Sequence, residues 1–354
     1  MKIYSIHMRV KSPLICTEEQ IGNVLKHSGI SLKGHALRGS FLGLAYNDYP
    51  EQVIEESRNP KLVFHPAYPV IEGSVLKPAH PFTYSCKICK EIVEKNPYEA
   101  LNELEKGKMP EFTACEKGHI FSMKTLGGSL LAKTKDSSKN IDYTSVKSTG
   151  INRVLKGSEY AMLYEYVTLP PGVEFRGVIS DLGDKMEKLK LTDISEIRIG
   201  RGCTRGFGKV SVKVIEEENI LEKEFERIYN ILQKTNGTII LKALSLTCSL
   251  KKGSKGILTQ PIPNIPFEWM KPIEVSFLNG NAAITSIEEF AGFSNISKLP
   301  TPRLSGAGAG SLFFYRIGKD YWDKASKMLA EKEFEGFNPF SCFGLNILEV
   351  FDAD

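Results

Sequence analysis

The chain lacks a long apolar run, a signal-peptide pattern and a paired set of cysteines. No segment approaches the roughly 20 apolar residues that a membrane-spanning helix needs. The segment Met1–Val10 predicts a β-strand, without the basic region and apolar run of a signal peptide. There are seven cysteines, an odd number, and four of them (Cys16, Cys203, Cys248 and Cys342) stand singly. This usage argues against a disulfide framework and predicts a cytoplasmic protein with no membrane partner.

Net charge and familiar catalytic motifs are also scarce. The formal net charge is only +4 over 354 residues, so an argument for nucleic acid must rest on local charge. The sequence contains no P-loop, no His-Glu-x-x-His and no recognisable Ser/His/Asp spacing. Of six histidines, only His35 lies beside a candidate phosphate-binding segment. Ready-made hydrolase and nucleotide-binding signatures are therefore missing.

What is present predicts an α+β fold in two domains. Short strand patterns alternate with few helical ones, and a charged amphipathic helix at 217–233 precedes the turn signal Asn236-Gly237. We place the domains at 1–235 and 236–354. The first contains a cysteine-rich insertion at about 83–122 and a Gly-, Lys- and Ser-rich, mobile loop at about 127–150. A second glycine-rich loop is expected at Ser305–Gly310.

The sharpest local feature is the glycine-rich, basic loop Gly200–Lys209. Its four glycines permit tight turns, and its free amides can form an anion nest. Its cationic side chains, with the one just before it, are Arg198, Arg201, Arg205 and Lys209. Phe207 could stack a base. The alternative is a hairpin turn with solvated basic residues. A dinucleotide-binding loop is disfavoured because a strand, not a helix, follows.

A second candidate site is Lys33-Gly34-His35-Ala36-Leu37-Arg38-Gly39. A glycine just before a helix, with Arg38 on the first turn, can make a phosphate-binding helix N-terminus. The alternative is ordinary helix capping with a surface arginine.

The third feature is a set of metal-ligand spacings. Cys86-x-x-Cys89 is followed after about 25 residues by Cys115-x-x-x-His119. Two short ligand pairs at this distance suit one tetrahedral Zn²⁺. Since all four ligands would come from protein, we expect a closed, structural zinc site. The alternative is a coincidence of buried thiols.

These elements resemble a known family. Gly200–Lys209 resembles the glycine-rich loop of the RAMP superfamily of CRISPR systems, and Gly34–Gly39 resembles that family's element after the first strand. Three further segments match in the same order: Ile151-Asn152-Arg153, Leu163-Tyr164-Glu165 and Phe175-Arg176-Gly177. The family commonly has Asp where this chain has Asn152. The matches cover most of residues 1–215, and the second half matches more loosely through Ser305–Gly310 and Phe343-Gly344.

The resemblance implies a particular role. Two RAMP-like halves with a cysteine-rich insertion look most like the Cas-five-type, Csx-type subunit of type III-D effectors. It implies two ferredoxin-like (RRM-like) domains that hold the 5′ handle of CRISPR RNA. The implied partners are the large polymerase/cyclase-domain subunit and the backbone RAMP subunits. The expected RNA-binding residues are Lys33, Gly34, His35, Arg38, Asn152, Arg153, Arg198, Arg201, Gly202, Arg205, Gly206, Phe207 and Lys209.

Two functional classes stay open at this point. The first, which we favour, is a non-catalytic RNA-binding scaffold. The second is an endoribonuclease, because some RAMP relatives process precursor CRISPR RNA with a histidine and others cleave target RNA with a loop Asp. The candidate catalytic residues here would be His35 or Asp142.

Overall fold

The structure is a computed structural model. It describes residues 1–21, 25–110, 114–115, 117–119, 123–131, 141–151, 154, 156–250, 259–275, 283–291, 293–294, 299–300, 303–337 and 340–352. These residues combine helices with several antiparallel sheets, which confirms the predicted mixture of α and β.

The helices of the described residues include the charged amphipathic helix that was predicted at 217–233. They are α1 (Gly34–Ala45), α2 (Pro50–Arg58), α3 (Pro97–Glu105), α4 (Lys185–Lys188), α5 (Ile220–Lys234) and α6 (Trp322–Glu335). None of the helices in these ranges is long and apolar enough to cross a membrane.

The strands are short and numerous. Those up to residue 151 are β1 (Lys2–Val10), β2 (Thr17–Ile21), β3 (Leu25–Ser28), β4 (Leu62–Phe64), β5 (Tyr68–Ile71), β6 (Ser74–Val75), β7 (Lys77–Pro78), β8 (Thr83–Cys86), β9 (Ile92–Glu94), β10 (Met123–Thr125), β11 (Leu130–Leu131) and β12 (Thr144–Ile151). The next are β13 (Ser158–Thr168), β14 (Glu174–Asp181), β15 (Glu196–Arg198), β16 (Lys209–Glu216), β17 (Thr238–Ala243), β18 (Ser249–Leu250), β19 (Thr259–Gln260) and β20 (Met270–Pro272). The last are β21 (Ala283–Ile284), β22 (Ile287–Phe290), β23 (Phe293–Ser294), β24 (Leu299–Pro300), β25 (Leu304–Ala307), β26 (Leu312–Ile317) and β27 (Leu348–Val350).

The first of two compact units comprises Met1–Leu76 and Ala132–Glu217. Its main sheet has the strand order β15-β16-β1-β14-β5-β6, and β4 also pairs with β14. Along β1, Tyr4, Ile6, Met8 and Val10 are buried while Arg9 is exposed. This period of two is what a strand with one core-facing side requires.

The first unit also contains a sheet of order β12-β13-β3-β2. Strands β3 and β13 run parallel, with Tyr166 opposite Lys26, and the other pairs are antiparallel. Part of the expected mobile loop therefore forms strand β12, because it pairs with β13. Residues 132–140 of that expected loop lie outside the described residues.

The second unit comprises Lys77–Leu131 and Glu218–Asp354. Its main sheet has the order β20-β26-β17-β27, and helices α5 and α6 pack on each other. Helix α3, from the cysteine-rich segment, buries Leu101 and Leu104 in the same apolar core as Leu241 and Phe313. The cysteine-rich segment thus belongs to this unit, whereas our sequence-based division placed it in the first domain. Sequence order alone does not say which core an inserted helix joins.

The second predicted glycine-rich loop is largely strand. Ser305 to Ala307 lie in β25, which pairs with β22. A Cβ atom on Gly306 would lie 2.6 Å from the carbonyl oxygen of Thr247. Glycine is needed here for close backbone packing, so this segment is not a loop of the Gly200–Lys209 kind.

An ion cluster ties the start of the cysteine-rich segment to the last strand of the second unit. Glu349 on β27 accepts hydrogen bonds from Lys242, its register partner on β17 at 2.8 Å, and from Lys77 on β7. The Glu349 side chain is 17% exposed. Burial alone would raise the pKa of this carboxyl, but the two ammonium groups outweigh burial and lower the pKa to about 2.

This cluster predicts an acid-sensitive second unit. Because the folded pKa of Glu349 is depressed, its stabilisation is complete above about pH 4.5 and is lost as pH falls towards 2. The full effect is about 3 kcal/mol at most, since one pKa unit corresponds to about 1.4 kcal/mol. Urea unfolding at pH 7 and pH 3 should show Glu349→Gln less stable than wild type at pH 7, with the difference shrinking at pH 3. The control is Glu226→Gln on the exposed face of α5. An equal loss for both variants at both pH values would contradict this role.

Candidate nucleic-acid interface and metal centre

The glycine-rich loop Gly200–Lys209 is docked on the chain segment that follows β1. The N–H of Arg201 donates to the carbonyl of Ile15 at 2.8 Å, and the N–H of Gly208 donates to that of Pro13 at 2.9 Å. Within the loop, the N–H groups of Arg205 and Phe207 both donate to the carbonyl of Gly202. The loop is therefore an ordered turn, with a 3₁₀ turn over Cys203–Arg205 at its tip.

Glycine is required at two of the loop positions. Gly200 has φ +85°, and a Cβ atom there would lie 2.3 Å from the carbonyl oxygen of Ile15. Gly208 has φ +72°, and a Cβ atom would lie 2.1 Å from the carbonyl oxygen of Ile199. A side chain at either position would break the docking described above.

Several of the loop N–H groups that were predicted to bind an anion already donate hydrogen bonds within the protein. Among the described residues, the amides of Arg201, Arg205, Phe207 and Gly208 already donate to backbone carbonyls. The amides of Gly200, Gly202, Cys203, Thr204 and Gly206 are not among these donors. Any amide contribution to anion binding would come from these N–H groups.

The loop borders a pocket of about 340 Å³ in the first unit. Its lining residues are Ile15, Lys26, Tyr164, Tyr166, Arg201, Gly202, Thr204, Arg205 and Phe207. Arg201 and Arg205 are exposed, and a guanidinium N–H of Arg205 donates to the Tyr166 hydroxyl at 3.3 Å. The half-buried Phe207 ring lies 5.9 Å from the Tyr166 ring, centroid to centroid. The pocket thus combines mobile cations with aromatic surface.

Lys26, Tyr164 and Tyr166 line the pocket but are not among the RNA-binding residues predicted from the sequence. Tyr164 and Tyr166 lie on β13, and the Lys26 ammonium on β3 lies 5.9 Å from the Tyr166 ring centroid. Strand β13, which carries both tyrosines, was noticed in the sequence only through the segment Leu163-Tyr164-Glu165 of the family resemblance. Lys26 gave no signal, because its place beside β13 depends on a parallel pairing between distant segments.

The other two loop cations are engaged locally. Arg198 donates to the carbonyl of Cys203 at 2.6 Å, across the base of the loop. The Lys209 ammonium lies 2.9 Å from the Glu196 carboxylate, and both side chains are nearly half exposed. Such exposed pairs contribute little to stability, so both cations remain able to exchange partners.

Arg38 lies inside the fold and not on a phosphate-binding surface. It is 7% exposed, and its guanidinium donates to the carbonyls of Leu62 and Glu56. It also pairs with the fully buried Glu56 carboxylate at 2.9 Å. A buried charge needs such partners, which corrects our expectation that Arg38 contacts RNA. The helical spacing predicted the helix that carries Arg38, but it did not predict which face of that helix is buried.

The rest of the α1 start is also partly enclosed. Lys33 is the N-cap residue of α1, Gly34 is buried and His35 is half-buried. Burial, with a smaller contribution from the Lys33 charge, lowers the pKa of His35 to about 4. The imidazole is therefore neutral at pH 7. The other catalytic candidate, Asp142, is exposed just before β12. Asn152 and Arg153 lie outside the described residues.

The four predicted metal ligands come together in the second unit. Their ligand atoms all lie within 4.8 Å of one another. The Cys115 sulfur lies 3.3 Å from His119 Nδ1, the Cys86 sulfur lies 3.6 Å from the same nitrogen, and the Cys89 and Cys115 sulfurs are 3.7 Å apart. A tetrahedral site with metal bonds of roughly 2.0–2.3 Å has ligands about 3.3–3.8 Å apart. This set could therefore hold one metal ion.

Local backbone geometry builds the metal site. Cys86 ends β8 and Cys89 lies in the turn to β9, where the N–H of Lys90 donates to the carbonyl of Cys86 at 2.9 Å. Backbone N–H groups, that of Cys89 first, donate to the Cys86 sulfur and lower its pKa to about 6. A thiol that ionises easily is a ready metal ligand.

The cluster predicts about one bound metal ion per chain. Cys89→Ser should remove most of the metal and lower the melting temperature, because metal binding contributes to folding. Elemental analysis of freshly purified protein, together with a thermal melt, provides the measurement. The control is Cys342→Ser, a half-buried cysteine outside the cluster. Metal-free wild-type protein with an unchanged melt in Cys89→Ser would contradict the prediction.

No family model matches the chain, and no curated protein is similar to it in sequence. Solved structures are similar in fold. A chain of the cryo-EM structure of type III-B Cmr-beta bound to cognate target RNA matches with a TM-score of 0.53 and 14% identity, over 99% of both chains. A chain of the same complex bound to cognate target RNA and AMPPnP matches with a TM-score of 0.50 and 14% identity, over 92% of this chain and 93% of that one.

A third match is to the Csm3–Csm4 subcomplex of the type III-A CRISPR-Cas interference complex, with 15% identity over 90% of this chain and 97% of that one. Its TM-score of 0.38 is too low to support a conclusion about the fold. At 14% identity, the likeness to Cmr-beta is one of fold. The structural neighbours of this chain are thus subunits of type III CRISPR complexes, and it shares the fold of a Cmr-beta chain over nearly its whole length.

Proposed function

We propose that this chain is a CRISPR RNA-binding structural subunit of a type III effector complex in antiviral defence, and that it holds the 5′ handle of the guide RNA. The observation that carries the proposal is the pocket beside the glycine-rich loop, where Arg201 and Arg205 are exposed next to Tyr166 and Phe207. The end-to-end likeness of fold to a chain of an RNA-bound type III complex supports it.

The proposed fold is a pair of ferredoxin-like domains. In the first unit, strands β16-β1-β14-β5 are adjacent in that order, with α1 after β1 and α4 after β14. In the second unit, β27-β17-β26-β20 are adjacent, with α6 after β26. Numbered within each unit, both orders read 4-1-3-2, the arrangement of a ferredoxin-like sheet. The same strand order in both units supports two related domains of this kind.

In this proposal, exposed arginines meet phosphates and the aromatic rings meet bases. Arginine suits the first task because its planar fork can grip two phosphate oxygens. The half-buried Phe207 ring can contribute stacking or edge contacts to an unpaired base, and Tyr166, which is only 6% exposed, packs beside it. Lys33, Arg198 and Lys209 are retained as flanking cations, and Arg38 is left out because it is buried.

The metal centre would hold zinc in a structural role. Three sulfurs and one imidazole nitrogen are a ligand set that zinc favours, and four protein ligands leave no open position. Cys86, Cys89, Cys115 and His119 would fasten the β8–β9 turn to the segment before β10. Zinc would therefore stabilise the cysteine-rich segment and would not activate water.

The proposed partners follow from the same assignment. They are the large polymerase/cyclase-domain subunit and the backbone RAMP subunits of a cytoplasmic complex, which we assign to the type III-D class with a Csx-type RAMP subunit. A reducing compartment suits the seven cysteines, all within the described residues, since none of them is in a disulfide bond.

The RNA-binding proposal predicts a salt-dependent role for the loop arginines. Replacing both Arg201 and Arg205 by Ala should weaken binding of a guide RNA that carries the 5′ handle. It should also flatten the dependence of log affinity on log salt by roughly 1–1.5 units, because each single-strand phosphate contact contributes about 0.7. The thermal melt should barely change, since exposed arginines contribute little to stability. The measurement is a salt titration of RNA binding with folded protein.

The control replaces Arg58 and Lys188, two exposed cations of the same unit, by Ala. It should leave both affinity and slope nearly unchanged. If the loop variant bound RNA like wild type, the glycine-rich loop would be only a turn and the RNA-binding proposal would lose its main support.

The proposal also predicts that the chain alone does not cut RNA. Burial lowers the pKa of His35 to about 4, well below the neutral pH at which a general acid or base works best, and Asp142 is exposed on another segment, just before β12. Repeat RNA and guide-matched RNA incubated with purified protein should stay intact. Cleavage that His35→Ala or Asp142→Ala abolished, in protein with an unchanged melt, would establish the endoribonuclease alternative instead.

A further inference from the structure

Three aromatic rings in the second unit form a parallel stack. The Phe267 and Trp269 rings lie 4.7 Å apart, centroid to centroid, with an angle of 10° between their planes. The Trp269 and Tyr321 rings follow at 6.4 Å and 12°. Both pairs fall within the distances of offset aromatic stacking, and their planes are nearly parallel throughout. We call these three rings the aromatic ladder.

The aromatic ladder runs from the core to the surface. Phe267 is buried in the main core of the unit, Trp269 is half-buried against that core, and Tyr321 is 45% exposed. An exposed ring at the end of a parallel stack offers a flat aromatic surface to solvent. A further planar group can extend such a stack without rearranging it.

The backbone around Tyr321 holds the last ring in place. Tyr321 ends a 3₁₀ turn, and its N–H donates to the carbonyl of Gly318 at 2.9 Å. The next residue, Trp322, is buried and its indole N–H donates to the carbonyl of Ile317 at 3.2 Å. A ring already held in position loses little conformational entropy when a ligand stacks on it.

Charges flanking the ladder in sequence balance each other. Exposed residues next to the ladder residues are Lys271, Lys319 and Lys324 on the positive side and Glu268, Asp320 and Asp323 on the negative side. These sequence neighbours carry no net charge, and the exposed Arg316, opposite Lys271 in the strand register, is paired with Glu105 at 3.0 Å, so phosphate is not strongly attracted. A ligand of the ladder should therefore bind through a flat, uncharged ring.

We propose that the exposed face of Tyr321 is a stacking platform for an unpaired base of single-stranded RNA. This inference rests on the proposed RNA-binding function and adds a second contact on the second unit, distinct in chemistry from the glycine-rich loop. Binding at the platform depends on stacking, so it has a weak dependence on salt.

The two tryptophans of the chain report on this platform directly. Trp269 is the middle ring of the ladder, and Trp322 adjoins Tyr321 in sequence, with the Lys319 ammonium 6.0 Å from its ring centroid. A base that stacks on Tyr321 changes the surroundings of the ladder and therefore the tryptophan emission. The experiment is a fluorescence titration of the full chain with a short single-stranded oligoadenylate at low and high salt.

We expect saturable quenching that salt barely affects. Tyr321→Ala should weaken oligoadenylate binding by roughly 5- to 100-fold, the fold-change that corresponds to one stacked base. Tyr321→Phe, which keeps the ring, should bind like wild type. The matched control is Tyr46→Ala in the first unit, since Tyr46 is 49% exposed and so comparable in exposure. Thermal melts establish that each variant is folded.

The variant lacking Arg201 and Arg205 separates this inference from the proposed function. Quenching that persists in that variant and disappears in Tyr321→Ala supports the platform, even if binding of the handle-carrying guide RNA is lost. If that guide RNA binds through the arginines while oligoadenylate causes no quenching, the platform is overturned and the RNA-binding proposal stands. Quenching by a proline-rich peptide but not by oligoadenylate would also overturn it, and would make the ladder a protein-docking surface.

Discussion

Backbone hydrogen bonds between the glycine-rich loop and the segment Pro13–Ile15 hold the candidate interface together. The loop amides of Arg201 and Gly208 donate to that segment, and glycine at position 200 permits the close approach to Ile15. Because the backbone is held in this way, the side chains of Arg201 and Arg205 need no role in folding and are free to extend from the loop. The pocket, its charge and the proposed contact with RNA all depend on this docking.

The two candidate sites show different ways of satisfying polar groups. At the loop, exposed cations are left with weak partners, which suits a surface that must exchange water and salt ions for phosphate. At Arg38, the same type of side chain is buried between α1, α2 and β4, and its partners Glu56 and Leu62 fix those elements together. The identity of a residue therefore says less about its role than its burial does.

The second unit depends on cross-links of a different kind. Helix α3 of the cysteine-rich segment packs in the core of the second unit. Lys77, just before that segment, contacts Glu349 on the last strand of the unit. Within the segment, the cluster of Cys86, Cys89, Cys115 and His119 joins its turns. A metal ion held by these four residues would fasten the β8–β9 turn to the residues around Cys115 and His119. Together these links make an inserted segment part of a domain that begins more than 80 residues later.

The sequence by itself determined the local elements and the clusters of chemistry. Apolar periodicity located α5 to within a few residues, because that pattern is a property of a single element. The spacing of the four metal ligands was likewise enough to predict that they meet. The loop Gly200–Lys209 was found from its composition.

Only the tertiary structure decided which side of each element is covered and which distant segments are neighbours. In the folded chain, Arg38 is buried, Lys26 and Tyr166 lie beside the loop, and the cysteine-rich segment belongs to the second unit. The rings of Phe267, Trp269 and Tyr321 stack on one another. Each of these outcomes depends on strand pairing or packing between segments far apart in the chain, which no local pattern of residues encodes.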